Sequence, residues 1–396
     1  MNLTNVKAEK QRVEIYDGLA YDIQTYGLNN DYPQRIKTVT SASVTAKGCI
    51  STYQKFMQGG GFADLLFYKS IINSRGLTCD QLLNRCVKDI ADYGGCAIHV
   101  NYNLLGQITD ISHVPFEHCR MAIEDDQTGC VHKIALHRDW TKLKRKTIIS
   151  KNTIQYINVY NPIKDVVLAQ IEACGGIDSY KGQIYYFSLD GDLIYPKPIY
   201  DAAITDISTE AGVGNVIYRN ARFNFLPAGM LVRRKAVLNG INTENKNENP
   251  NKQNQPDNFT QNFKQFQGDE KAYKIVDVEI EFDEEAPTFI PFTTDQYIIQ
   301  NMKVSTDIVK ERIGKIFLQP PILRAENVAT GFTLQAMQDA YEYYNSITLS
   351  ERLEIERVFT QIFTNFERPI NPTNNYSILP LKYGQSANVN SSQATL

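Results

Sequence analysis

Two consecutive prolines, Pro320 and Pro321, divide the most constrained stretch of the chain. Ahead of them Ile298, Met302, Val309, Ile313 and Ile316 recur at helical steps, while Lys303, Asp307 and Lys310 share a different face. The pattern predicts an amphipathic helix over 293–318, opened by a capping box between Thr293 and Gln296. A proline lacks an amide donor and pushes the residue before it out of helical geometry, so Gln319-Pro320-Pro321 ends the element. A polar loop over 322–332 follows, carrying Arg324, Glu326, Asn327 and the turn pair Thr330-Gly331. A second helical tract then opens at Thr333, with Leu349, Leu353, Val358, Phe359, Ile362, Phe363 and Phe366 in period. A long helix feeding a short polar loop positions that loop rigidly, either to face a ligand or a pore or, as most such loops do, only to connect.

Composition narrows the class. The chain has 396 residues, enough for two or three domains, with 42% hydrophobic and 21% charged residues, as in ordinary globular proteins. A formal net charge of −3 argues against gripping nucleic acid by bulk attraction, though not against a ring through which DNA passes. No apolar run approaches membrane-spanning length, and residues 1–17 lack a signal-peptide core, so no membrane is expected. Seven cysteines without a CxxC pair favour reduced thiols.

Further elements follow from pattern. Residues 1–30 read as an irregular arm. Helices are predicted over 34–57, ended by Gly59-Gly60-Gly61, and over 81–93, closed by Gly94-Gly95, with Leu82, Leu83, Cys86 and Ile90 on one face. Strands are predicted at 97–101, 108–113, 131–140, 147–149, 153–159 and 183–187. A helix over 201–224 stops at Pro227-Ala228-Gly229. Residues 239–267 are Asn-rich and low in complexity, a loop within a domain. Residues 276–283 alternate apolar and acidic positions, including Asp277, Glu279 and Glu281, as a half-buried strand whose acidic face meets water or a basic partner.

Catalytic patterns are thin. All five histidines lie between His99 and His137, among Cys96, Cys119 and Cys130, with no spacing of a known zinc module. Asp125-Asp126 reads as turn chemistry. Gly59-Gly60-Gly61 lacks the Lys-Ser/Thr of a phosphate loop, and no Gly-x-Ser-x-Gly elbow is present. No catalytic residue, metal ligand or cofactor is therefore assigned. Two basic runs, Lys142/Lys144/Arg145/Lys146 and Arg233-Arg234-Lys235, read as solvated faces or as contacts for an acidic partner or nucleic acid.

The order of these elements over roughly 20–367 resembles the portal proteins of tailed bacteriophages. The residues that carry the resemblance are Asn30-Asp31-Tyr32-Pro33, Phe56-Met57-Gln58-Gly59-Gly60-Gly61-Phe62 and Asp89-Ile90-Ala91-Asp92-Tyr93-Gly94-Gly95-Cys96-Ala97. Gly106-Gln107-Ile108, Val114-Pro115, Tyr195-Pro196-Lys197-Pro198 and Asn224 with Pro227-x-Gly229-x-Leu231 continue it. Gln319-Pro320-Pro321, Thr330-Gly331-Phe332 and Tyr343-Tyr344-Asn345 complete it. Gln319 departs from the branched residue common before the prolines, and little chain after Phe366 remains for a helical crown.

The resemblance implies an α+β fold. It divides the chain into an α/β wing (1–200), a first stem helix (201–226), a small α+β clip (227–292) with its loop at 239–267, and a second stem helix (293–318). A tunnel loop (319–332), a following long helix with wing or crown-base helices (333–367) and a C-terminal tail (368–396) complete the division, with little or no crown. It implies a homo-oligomeric ring, usually a dodecamer, at one capsid vertex of the virion, assembled in the host cytoplasm. Double-stranded DNA would pass through its axis, and the major capsid protein, the terminase large subunit and a head–tail adaptor would be its partners. Arg324, Glu326, Asn327 and Thr330 would then face DNA. Lys303, Asp307 and Lys310 are candidates for the channel wall, and Arg233, Arg234, Asp277, Glu279 and Glu281 for partner docking at the clip. Another phage structural or adaptor protein, or a metal-dependent hydrolase using the His/Cys region, are the competing classes.

Overall fold

Ser43 breaks what the hydrophobic period reads as one helix. Its hydroxyl accepts the Ala46 amide at 3.0 Å, and its extended backbone closes one helix while capping the next. Two helices, α1 (Tyr32–Ala42) and α2 (Val44–Gln58), therefore stand where a single helix over 34–57 is expected. The computed structural model describes residues 15–18, 22–27, 29–125, 128–140, 153–191, 194–222, 229–234, 276–280, 288–291, 296–326 and 333–384. For 15–18 and 219–303 the description is of backbone alone. The expected strand at 147–149, the basic run at 142–146, the low-complexity loop 239–267 and the Thr293 cap lie outside the described residues.

The expected irregular arm is instead a hairpin at its end. Strands β1 (Ile15–Gly18) and β2 (Ile23–Tyr26) pair antiparallel. Tyr26 is fully buried and stacks on Tyr32 at 5.1 Å and Tyr195 at 4.2 Å, which fixes the hairpin to the body. After the short helix α3 (Leu65–Lys69), α4 (Cys79–Tyr93) buries Leu82, Leu83, Cys86 and Ile90 on one face, as its period predicts. Gly94 ends it in the left-handed region at φ 85°, and a Cβ there would stand 2.7 Å from the Lys197 carbonyl.

A six-stranded mixed sheet follows, built from β3 (Gly95–Tyr102), β4 (Ile108–Val114), β5 (Cys119–Met121), β6 (Lys133–Leu136), β7 (Gln155–Val159) and β8 (Gln183–Ser188). Its order is β4-β3-β8-β7-β6-β5. The strand expected over 131–140 is shorter, because Trp140 leaves the ladder to bury itself and donates to the His118 carbonyl at 2.9 Å. Strands β7 and β8 are parallel, which requires a crossover. That crossover is α5 (Lys164–Ala173), an element the sequence pattern does not announce: only Val167 and Ile171 are buried. Gln170 Oε1 there accepts from Asn158, Tyr180 and Gln183, tying the crossover to both strands it joins.

Several of the quoted motif segments meet beside this sheet. Arg120 on β5 is fully buried and donates to Asn30 Oδ1, to the Asn30 carbonyl at 2.8 Å, and to the Cys119 and Glu117 carbonyls. Its guanidinium lies over the rings of Tyr26 and Trp140 at 5.6 and 5.3 Å. Tyr26 donates to the Pro196 carbonyl at 2.6 Å, and Tyr195 to the Gln24 carbonyl at 2.6 Å. Burial lowers the Arg120 pKa from its ordinary value, and a ring of carbonyls rather than a carboxylate holds the cation.

Helix α6 (Ile204–Arg222) matches the helix expected over 201–224, after a single 3₁₀ turn at Asp201–Ala203. Three strands then form a separate sheet: β9 (Gly229–Arg234), β10 (Val276–Ile280) and β11 (Thr288–Pro291). Strand β9 is central, with β10 parallel and β11 antiparallel to it. Helix α7 (Gln296–Ile316) follows, then α8 (Leu334–Ile347) and α9 (Leu349–Phe363). The helical tract expected after Thr333 is two helices, separated at Thr348. Thr348 turns its hydroxyl onto the Tyr344 carbonyl, and buried Arg352 fastens the elbow to Thr348, Asn345 and the Phe56 carbonyl.

Within the C-terminal segment, residues 376–379 pack against the body. Ile378 bridges Phe62, Leu379 exchanges backbone bonds with Gly60 and Gly61, and Tyr376 packs edge-on against Phe67 at 5.1 Å. The chain divides into two units. One comprises Met1–Ile207 with Arg312–Leu396, and the other, Ser208–Glu311, is inserted within it. The fold is a mixed one of helices and sheets.

Candidate functional site

Residues 313–326 are built as one piece. Val309 and Ile313 on α7, and Phe317 just past its end, are buried at helical spacing, whereas Val304, Asp307, Ile308 and Lys310 on α7 are exposed. Leu318 takes a left-handed turn at φ 51°, and the Gln319 amide closes the helix onto the Gly314 carbonyl at 3.2 Å. Gln319 is buried, and its Nε2 donates to the Cys49 carbonyl on α2 at 2.7 Å and to the Tyr344 hydroxyl on α8 at 3.1 Å. A branched apolar side chain has no donor for these two oxygens, which is the physical content of the glutamine before the prolines. Burial raises the Tyr344 phenol above its ordinary pKa, so it stays neutral and accepts this bond.

Pro320 is extended, and Pro321–Arg324 form a 3₁₀ turn. Leu323 bonds back to the Pro320 carbonyl, and Glu326 to the Pro321 carbonyl at 3.1 Å. Ile322 is buried and anchors the turn, and Ala325 reverses the chain at φ 56°. On the far side, Thr333 caps α8 by accepting the Ala336 amide at 3.2 Å.

The structure brings Arg324 and Glu326 together, with Arg324 Nη2 at 2.9 Å from Glu326 Oε2. It does not present Arg324 outward. The side chain is 9% exposed, and the guanidinium crosses the backbone of Gly314, where a Cβ would overlap it. The Arg324 charge is therefore paired with Glu326, the carboxylate expected to limit its grip on phosphate. Asn327 and Thr330 lie outside the described residues. Asp307 and Lys310 are exposed on α7, and Lys303 is described only as helical backbone.

The positions expected for docking gather in the small sheet. Arg233 and Arg234 are on β9, Asp277 and Glu279 on β10, and Glu279 is in register with Arg233. Glu281 lies outside the described residues. In the His/Cys region, His113 pairs with Asp89 at 2.8 Å, and Asp89 also accepts the Phe116 amide. Asp125 forms the turn expected of it, accepting from the Thr128 hydroxyl at 3.0 Å. Cys130 and His132 are both exposed. Residues that pattern reading missed are Arg120, Arg352 and Gly314. Of these only the glycine, inside an otherwise helical run, carries a visible signal.

No protein-family profile matches the chain, and no curated protein sequence matches it. Similar solved structures come from gene transfer agent particles. A chain of the neck of the native particle computed with C12 symmetry matches at 11% identity and TM-score 0.45, covering 87% of this chain and 86% of that one. A chain of the neck of the empty particle computed with C6 symmetry matches at 10% identity and TM-score 0.45, covering 85% and 82%. A chain of the native virion matches at 11% identity and TM-score 0.38, covering 76% and 72%.

Proposed function

We propose that the chain is the subunit of a portal ring, a head-to-tail connector in a virion through which double-stranded DNA is packaged and released. The observation that carries this reading is the chain path. A small β unit is inserted between two helices, α6 and α7, and the returning helix ends in a Pro-Pro turn locked into α2 and α8 by Gln319. At 1.5 Å per residue, the 21 residues of α7 span about 32 Å, enough for a channel wall. The turn that follows is tied to α2 and α8 through Gln319 and closed by its own backbone bonds up to Glu326.

In this reading Glu326, Asn327 and Thr330 line the narrowest passage with Arg324 behind them, while Lys303, Asp307 and Lys310 are wall positions. The mixed signs suit a passage that must not hold what it passes, since each phosphate contact adds affinity and salt dependence. The clip positions Arg233, Arg234, Asp277, Glu279 and Glu281 meet the terminase and the head–tail adaptor, and the wing meets the capsid. The role is structural, with no catalytic group or cofactor. Removal of residues 324–329 tests the placement: rings still assemble, while particles built with the shortened chain package or retain less DNA. Loss of the ring itself contradicts it.

A further inference from the structure

Arg324 is folded onto the helix that precedes it. Ala325 at φ 56° and the Glu326 amide bond to Pro321 reverse the chain; Arg324 pairs with Glu326 and lies against α7 at Gly314. The guanidinium then rests where only a glycine leaves room. A Cβ at Gly314 would overlap Nη1, Cζ and Nε of Arg324. Inside a helix, glycine is disfavoured relative to alanine. Here the missing side chain creates a berth for a cation, closed by the Glu326 carboxylate at 2.9 Å.

The berth is reversible in chemical terms. A guanidinium binds carboxylate and phosphate with the same planar fork, and Glu326 is 39% exposed, so a phosphate can compete for Arg324 without unfolding the turn. We propose that Gly314 and Glu326 form an autoinhibitory berth for Arg324, holding a phosphate-binding guanidinium away from nucleic acid until the Arg324–Glu326 pair opens. The inference rests on the DNA-channel reading above and deepens it: the passage carries a concealed grip. Closed, the Arg324–Glu326 pair is neutral toward DNA. Open, each subunit offers one cation.

The test uses the full assembled chain and two readouts. The first is the rate at which a dicarbonyl arginine reagent modifies Arg324, followed by peptide mass spectrometry. The second is binding of a short random-sequence DNA duplex across a salt series. Gly314→Ala, which favours the helix, evicts the side chain. Arg324 modification then rises several-fold, and the log–log salt slope of duplex binding steepens by about one per engaged arginine. Glu326→Gln moves both readouts the same way without touching the helix, and adding Arg324→Gln to Gly314→Ala removes the gain. Unchanged modification of Arg324 in both single variants overturns the berth. Faster modification with unaltered duplex binding overturns the DNA target of the berth. Failure of the parent chain to form rings is a separate result that strikes the portal reading.

Discussion

Gln319 carries more of the architecture than its polarity suggests. It is the last residue before the prolines, and its amide reaches two helices at once through the Cys49 carbonyl and the Tyr344 hydroxyl. Gln319→Leu keeps the volume and removes both donors, leaving two buried oxygens with a bond fewer. The expected cost is about 1–2 kcal/mol, read as a lower midpoint in chemical denaturation, with the Pro321–Arg324 turn loosened in hydrogen exchange. An unchanged midpoint would contradict the anchoring role. Arg120 and Arg352 show what pattern reading cannot reach. Each looks like a surface cation in the sequence, yet each is buried and satisfied by carbonyls brought in from distant segments. Only tertiary contact creates those partners. Arg324 was legible as a charged loop residue, but its inward turn depends on Gly314 and on the backbone of Ala325, neither of which a period reports.

Elements with a strong apolar period were legible, and the breaks between them were not. α4, α6 and α7 fall within a few residues of their expected positions; α4 buries a full stripe, α7 buries Val309 and Ile313, and α6 buries only Ile204 and Ile207 at its start. The division between α1 and α2 rests on one hydroxyl. Ser43→Ala removes the acceptor of the Ala46 amide and should cost about 1 kcal/mol, with faster amide exchange in the first turn of α2. Unchanged exchange there would mean that packing alone sets the bend. The same physics splits α8 from α9 at Thr348, where a local hydroxyl bond and Arg352 act together. The β1–β2 hairpin escaped notice because its strands are four residues each and Tyr26 is fixed by rings far along the chain. α5 escaped because its few buried positions give a weak stripe. Its presence follows only from the parallel pairing of β7 with β8.

For the whole molecule, the informative fact is the insertion of Ser208–Glu311 into a unit that the chain leaves and re-enters. The candidate site was legible as far as a polar loop after a long helix. What the sequence withheld was how that loop is held, since Gln319, Ile322 and Gly314 act through residues from α2, α7 and α8. A ring needs heterologous faces that repeat and close. Exposed apolar residues such as Val304 and Ile308 on α7 are the kind of surface that such packing covers. The most direct measurement is native mass together with negative-stain electron microscopy of the purified chain at high concentration. The account predicts closed rings with a central hole, near roughly 540 kDa if twelve copies of 45.0 kDa assemble. A homogeneous monomer or dimer without rings, unchanged by concentration or by added nucleating partner, would contradict it.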